Sequence, residues 1–192
     1  MKPEPPALAD YGLMADGVRE VLITQADITA RIAEMGAQIA QDYEGKSPLL
    51  VGVLKGVLFF MADLLRAVHI PLEVDFIAVS SYSAETRDRG VVGLVKDLDI
   101  PITDRHVLFV EDVIDTGLTL NYILRNLRAR QPASLEVAVL FDKPRRRLVD
   151  IPLKYKGFDL PDRFVVGYGL DYREQYRNLP FVGLLAPEVF QK

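Results

Sequence analysis

The segment VLFVEDVIDTGLTL (residues 107–120) constrains the fold of this chain more than any other stretch. Apolar residues run straight into the adjacent carboxylates Glu111 and Asp112, and a further carboxylate, Asp115, follows. Thr116, Gly117, Leu118 and Thr119 come next, and then a helical pattern begins. Buried parallel strands read as short apolar runs, and ligands of such sheets bind at the carboxyl ends of the strands. The acids are therefore expected at a strand's exit. The Thr/Gly loop is expected to aim backbone N–H groups at an anion where the helix starts. That combination suits a ligand carrying both ribose hydroxyls and a phosphate. A plain strand, acidic turn and Thr N-cap would account for each piece, but not for their order and density.

Composition narrows the rest. At 192 residues the chain can bury a core without covalent staples, and the absence of Cys rules out disulfides, thiolate catalysis and Cys-based zinc sites. A net charge of −4 argues against broad nucleic-acid binding, which needs a basic surface. No apolar run approaches the length of a membrane helix, so no membrane partner is expected. The amino end, MKPEPPALAD, has no apolar signal core, and its prolines read as a frayed tail. Residues 1–20 are expected to form a flexible tail and 21–192 a single domain, in a soluble cytoplasmic protein.

Along the chain, Thr24 with Asp27 resembles a capping pair. Ile28, Ile32, Met35 and Ile39 follow at helical spacing, so a helix is expected over 26–43. LLVGVL (49–54) reads as a buried strand ending in Lys55-Gly56. Residues 57–68 are helical in length and apolar on more than one face, which points to a subunit contact. A strand is expected over 73–82, then the polar loop SAETRDRG, then a returning strand over 93–98 that makes a hairpin. Residues 105–113 form the strand already described. Leu120, Ile123, Leu124 and Leu127 mark the helix after it, closed by Gln131-Pro132. Further strands are expected over 135–141, 164–167 and 181–185, the first followed by the basic loop KPRRR. Strands alternating with helices predict an α/β fold with a mainly parallel, twisted sheet flanked by helices.

Common nucleotide motifs are missing. Gly45-Lys46-Ser47 ends like a P-loop, but Ala40 stands where its first glycine belongs, and it precedes a strand rather than following one. No G-x-G-x-x-G occurs. His69 and His106 stand alone and are read as structural.

The run EDVIDTGLT resembles the phosphoribosyl-pyrophosphate signature of the type I phosphoribosyltransferases. Leu54-Lys55-Gly56, Ser81-Tyr82, Lys143, FVVGYGLDY (164–172) and Arg177 resemble, in order, the further motifs of its hypoxanthine–guanine branch. The resemblance covers about residues 21–185. It implies the type I phosphoribosyltransferase fold, with a small hood subdomain built from the chain ends. The implied reaction is Mg²⁺-dependent transfer of a 5-phosphoribosyl group from phosphoribosyl pyrophosphate to a 6-oxopurine, with release of pyrophosphate. It also implies a homodimer or homotetramer.

The same resemblance assigns roles to residues. Asp115, Thr116, Gly117, Leu118 and Thr119 would cradle the 5′-phosphate; Leu118 replaces the family's frequent Lys, a mild departure for a cradle built from backbone N–H groups. Glu111 and Asp112 would engage the ribose hydroxyls, directly or through Mg²⁺, and Asp171 would hold metal from the purine side. Lys55, Gly56 and Arg177 would meet the pyrophosphate and neutralise it as it leaves. Relatives often have a cis peptide in the Leu54-Lys55-Gly56 loop. Phe164 would stack on the base, the Val165 backbone would meet the ring edge, and the Lys143 ammonium would bind the 6-oxo group, disfavouring adenine. Asp115 would exchange a proton with purine N7, and it can also serve as a helix N-cap. Ser81 and Tyr82 would close as a lid against water. In the basic loop only Lys143 is expected inside the site.

Taken alone, Lys55 reads as a solvated strand end, Phe164 as core, and the lid as an ordinary hairpin tip. A relative preferring xanthine or another base fits the same motifs. A regulator that keeps the fold to sense the phosphoribosyl donor is the other alternative, and the retained Lys55, Asp115, Lys143 and Arg177 speak against it.

Overall fold

Two parallel strands meet at the centre of this molecule, and the chain runs outward from them in opposite directions. In the computed structural model, which describes residues 8–79 and 93–190, the main sheet holds β2 (Leu49–Leu54), β3 (Glu73–Val79), β4 (Leu94–Lys96), β5 (His106–Ile114), β6 (Ser134–Asp142) and β7 (Tyr155–Asp159). Their order is β4-β3-β2-β5-β6-β7, with only β4 antiparallel. From β2 the chain crosses to β3 on one side; from β5 it proceeds to β6 and β7 on the other. The boundary between β2 and β5 is thus a topological switch point, where open α/β sheets bind ligands beyond the strand ends. The loop after β2 carries Lys55 and Gly56, and the end of β5 carries Glu111, Asp112 and Asp115.

Burial on both faces explains the unbroken apolar runs. Leu50, Leu108, Val110, Ala138 and Leu140 face one layer, with α1 (Gln25–Asp42) and α2 (Leu58–Ala67) packed on them. Leu49, Val51, Val107, Phe109, Val137 and Val139 face the other, under α3 (Leu118–Arg128). Successive strand residues point to opposite sides, so one continuous run supplies two cores. Thr24 caps α1 as expected, accepting a hydrogen bond from the Asp27 N–H at 3.1 Å. In α2, Phe60, Met61 and Leu64 are buried within the same chain, which accounts for much of the all-round apolar character of residues 57–68.

A second sheet forms the hood. β1 (Val18–Ile23) pairs antiparallel with β9 (Val182–Leu185), which pairs antiparallel with β8 (Val165–Val166). Of the expected 1–20 tail, residues 8–20 are therefore corrected to part of the hood, and residues 1–7 lie outside the described residues. Leu8–Ala15 is a 3₁₀ segment, and Ala15 and Val18 pack with Val166, Leu179, Phe181 and Leu185. A short final helix, α4 (Pro187–Phe190), follows β9. The hairpin strands are found at β3 and β4, while Ser81 and Tyr82, the expected lid, lie outside the described residues. No helix among the described residues is long and apolar enough to cross a membrane.

Candidate active site

At the exit of β5 the chain turns into α3 through Gly117, whose left-handed backbone (φ 78°) places it as the N-cap. The first turn of any helix leaves backbone N–H groups without intrahelical acceptors. Here they border a cavity of about 250 Å³ whose lining includes Glu111, Asp115, Thr116, Gly117 and Thr119. The loop is held by Leu148 N–H donating to the Thr116 carbonyl at 2.9 Å. Leu118 points outward, 47 % exposed, so the cradle does not use its side chain. Asp115 does not cap α3, since the cap makes no side-chain hydrogen bond.

A neighbouring cavity of about 240 Å³ shares Val113 and Asp115 with the first. Asp112, Lys143 and Arg146 line it from the main sheet, and Phe164, Val165, Leu170, Asp171 and Arg177 from the hood side. Lys143 is buried, and its ammonium donates to the Arg163 carbonyl at 3.0 Å. Burial holds its pKa below the usual lysine range, with Asp115 opposing that shift. The Phe164 and Tyr172 rings stand perpendicular, with centroids 5.7 Å apart.

Arg146 is the residue that sequence reasoning placed wrongly. Its Nε lies 2.8 Å from Asp115 Oδ1 and 3.6 Å from Asp162 Oδ1. The single 3₁₀ turn Pro144–Arg146, closed by the Arg146 N–H on the Lys143 carbonyl, brings it back to β5. Asp115 Oδ1 is buried yet receives no aligned hydrogen bond. The contact is therefore an ion pair rather than an aligned hydrogen bond, and it lies at the junction of the two cavities.

The Leu54-Lys55 peptide is cis. Lys55 Nζ reaches Glu174 Oε2 at 3.1 Å, and Arg177 lies 3.5 Å from the same oxygen and 2.8 Å from Asp171 Oδ1. Both cations thus converge on Glu174, which has no motif to announce it. The contact at Gly56 is equally close: a Cβ there would fall 1.9 Å from Asp112 Oδ2.

The acidic pair is raised in pKa. Burial, then repulsion from Asp112, pushes Glu111 well above the ordinary carboxylate range, and Glu111 Oε2 is buried without a partner. Burial also raises Asp112, against the Val113 N–H that it accepts at 2.8 Å. An orphaned carboxylate oxygen beside a second carboxylate is a donor set suited to a hard cation. Among the described residues no group of three acidic or imidazole side chains forms a ready cage, so Glu111, Asp112 and Asp171 do not make one closed site. His69 is exposed, and His106 Nδ1 lies 2.8 Å from Ser134 Oγ, away from these cavities.

Comparison with known proteins agrees with this geometry. The phosphoribosyl transferase domain family matches residues 21–173. The hypoxanthine-guanine phosphoribosyltransferase of Streptococcus agalactiae is 48 % identical over 180 residues, spanning 94 % of this chain and all of that protein. The Staphylococcus aureus protein of the same name is 49 % identical over 177 residues, 92 % of this chain and 99 % of its own. A crystal structure of a hypoxanthine phosphoribosyltransferase from Staphylococcus aureus superposes with a TM-score of 0.89 at 48 % identity, covering 94 % of this chain and 98 % of that one. The chain belongs to the phosphoribosyltransferase family, in the branch whose members are hypoxanthine-guanine phosphoribosyltransferases.

Proposed function

We propose that this enzyme transfers the 5-phosphoribosyl group of phosphoribosyl pyrophosphate to hypoxanthine or guanine, forming IMP or GMP and pyrophosphate in purine salvage. The observation that carries this reading is the pair of cavities meeting at Asp115. One is a phosphate cradle at a helix start, and the other is a flat, half-apolar pocket with a buried cation.

The cradle binds the 5′-phosphate through the backbone N–H groups of residues 116–119 and the Thr116 and Thr119 hydroxyls. Lys143 donates to the 6-oxo group, and adenine would present a donor there instead. Phe164 stacks on one face of the base while Val113 and Leu170 fill the apolar remainder. As the C1′–oxygen bond breaks, charge separates between the sugar and the pyrophosphate. Lys55 and Arg177, drawn from Glu174, stabilise the negative product. Asp115 takes the proton carried at purine N7.

Glu111 and Asp112, with Asp171 across the base pocket, are the residues that would hold Mg²⁺. The ion's chemistry when bound is neutralisation of the donor's phosphate charge. Ser81 and Tyr82 are assigned as the lid by resemblance to the family. The chain is placed in the cytoplasm, as a homodimer or homotetramer. Sedimentation would test the assembly.

The test is an assay of purified protein with phosphoribosyl pyrophosphate and Mg²⁺, offering hypoxanthine, guanine, xanthine, adenine and uracil separately. Nucleotide from hypoxanthine and guanine but not adenine is expected. Donor binding without turnover of any base would instead favour a regulator built on this fold.

A further inference from the structure

Phe164 is 37 % exposed and lines the base pocket, and its ring is not left to stand alone. Phe190, at the end of α4, lies against it with ring centroids 4.7 Å apart and planes inclined by 22°. Phe190 lines the adjoining cavity beside Arg19 and Leu184 but not the base pocket, so it covers the face of Phe164 turned away from the base. The short helix that carries it is fastened to the hood at several points. Ala186 N–H donates to the Gly17 carbonyl at 2.8 Å, and the Tyr172 hydroxyl donates to the Val189 carbonyl at 3.2 Å. Arg19 pairs with Glu188 at 2.5 Å. Tyr172, which holds Val189, also stands perpendicular to the Phe164 ring, with centroids 5.7 Å apart.

From this arrangement we infer that Phe190 is a positioning residue for the base. It backs Phe164 so that the ring's free face stands parallel to the incoming purine before the purine arrives. An unbacked phenyl ring would rotate about its side-chain bonds, and ordering it would count against base binding; offset-stacked aromatic pairs supply a modest, geometry-dependent constraint. The effect belongs to base capture and not to the donor, because Phe190 lines neither the cavity at the start of α3 nor the one that holds Arg177. The inference rests on the reading of Phe164 as the base-stacking residue.

The test is steady-state kinetics on the full chain with each substrate varied in turn. Phe190→Ala is expected to raise KM for hypoxanthine by about three- to tenfold, the range of an aromatic pair, while KM for phosphoribosyl pyrophosphate stays within about twofold. Phe190→Tyr should restore the wild-type value, and Phe190→Leu, which keeps apolar volume without a flat ring, should not. In a Phe164→Ala background, Phe190→Ala should add little, since the two act as one unit. An unchanged or lowered KM for the base in Phe190→Ala overturns the inference, as do additive effects in the double variant. If Phe190→Ala does not fold, Phe190→Leu decides: a wild-type KM for the base overturns it. A wild-type protein that consumes no base at all defeats the assigned reaction itself, a result distinct from any of these.

Discussion

Asp115 sits where the cavities proposed for the 5′-phosphate and the base join, with Oδ1 buried and without an aligned donor. A carboxylate so placed can accept a proton from a bound base, and removing that ability should show in turnover. Asp115→Asn is expected to lower kcat by about 10²- to 10⁴-fold with KM for phosphoribosyl pyrophosphate little changed, since general acid–base groups contribute on that scale. Arg146→Gln should behave differently. Its ion pair with Asp115 is partly solvated, 45 % exposed on each side, and such pairs contribute about 1 kcal/mol or less. Its loss should lower kcat by no more than about fivefold, the equivalent of about 1 kcal/mol; a drop matching that of Asp115→Asn would place Arg146 in the chemistry itself. Lys143→Gln should erode the preference for hypoxanthine over adenine by at least about tenfold, because it removes the buried ammonium assigned to the 6-oxo group. Equal base ratios in variant and wild type would show that another group reads that position. At this scale the motifs exposed Asp115, Lys143 and Phe164, but not Arg146 or Glu174. Those two act through a turn and a loop whose paths only the folded chain defines.

At the scale of elements, the strand-to-helix passage at β5 concentrates function at the expense of stability. Glu111 and Asp112 are adjacent and buried, and Glu111 Oε2 has no partner. Because burial raises the Glu111 pKa, the charged form destabilises the fold. That penalty is absent below the ordinary carboxylate range and grows as pH rises through the raised value. Glu111→Gln should therefore raise Tm of the metal-free protein at neutral pH by about 2–4 °C, the shift of roughly 1 kcal/mol in a domain of this size, while impairing donor use. A lower Tm by calorimetry would mean that the carboxylate has a stabilising partner. The same elements show what a sequence reveals. β2, β5 and β6 are buried on both faces and declare themselves as apolar runs, and α1 and α3 by their spacing. β7, YKGFD, is an edge strand whose Lys and Gly carry no strand signal; its pairing with β6 makes it one. β1, VREVLI, is an edge strand whose partner β9 lies at the far end of the chain, a contact that no local pattern predicts.

The whole molecule is a main sheet and a hood closed on each other, and the cavity proposed for the base is walled by both. Their contact is tightest where the loop after β2 meets the loop after β8. Gly169 has φ of 96°, and a Cβ there would fall 2.3 Å from the Gly56 carbonyl oxygen. The Gly169 carbonyl in turn accepts from Arg177 Nη1 at 2.7 Å, so this one residue ties hood closure to Arg177, the cation proposed to meet pyrophosphate. Close by, the Tyr168 hydroxyl donates to Asp63 of α2 at 2.6 Å, anchoring the hood to the helical layer. Gly169→Ala should force the two loops apart. The backbone strain alone is worth about 1–3 kcal/mol, so Tm should fall by several degrees, and the displaced Arg177 should raise KM for phosphoribosyl pyrophosphate. Gly12 supplies the comparison, since it also has positive φ, 49°, but nothing within 4 Å of its Cβ position. Gly12→Ala should lose stability through strain while leaving both KM values unchanged. If Gly169→Ala proves no worse than Gly12→Ala in donor KM, the close approach of Gly56 and Gly169 is only packing. If it separates from Gly12→Ala by raising donor KM, hood closure itself sets the position of Arg177.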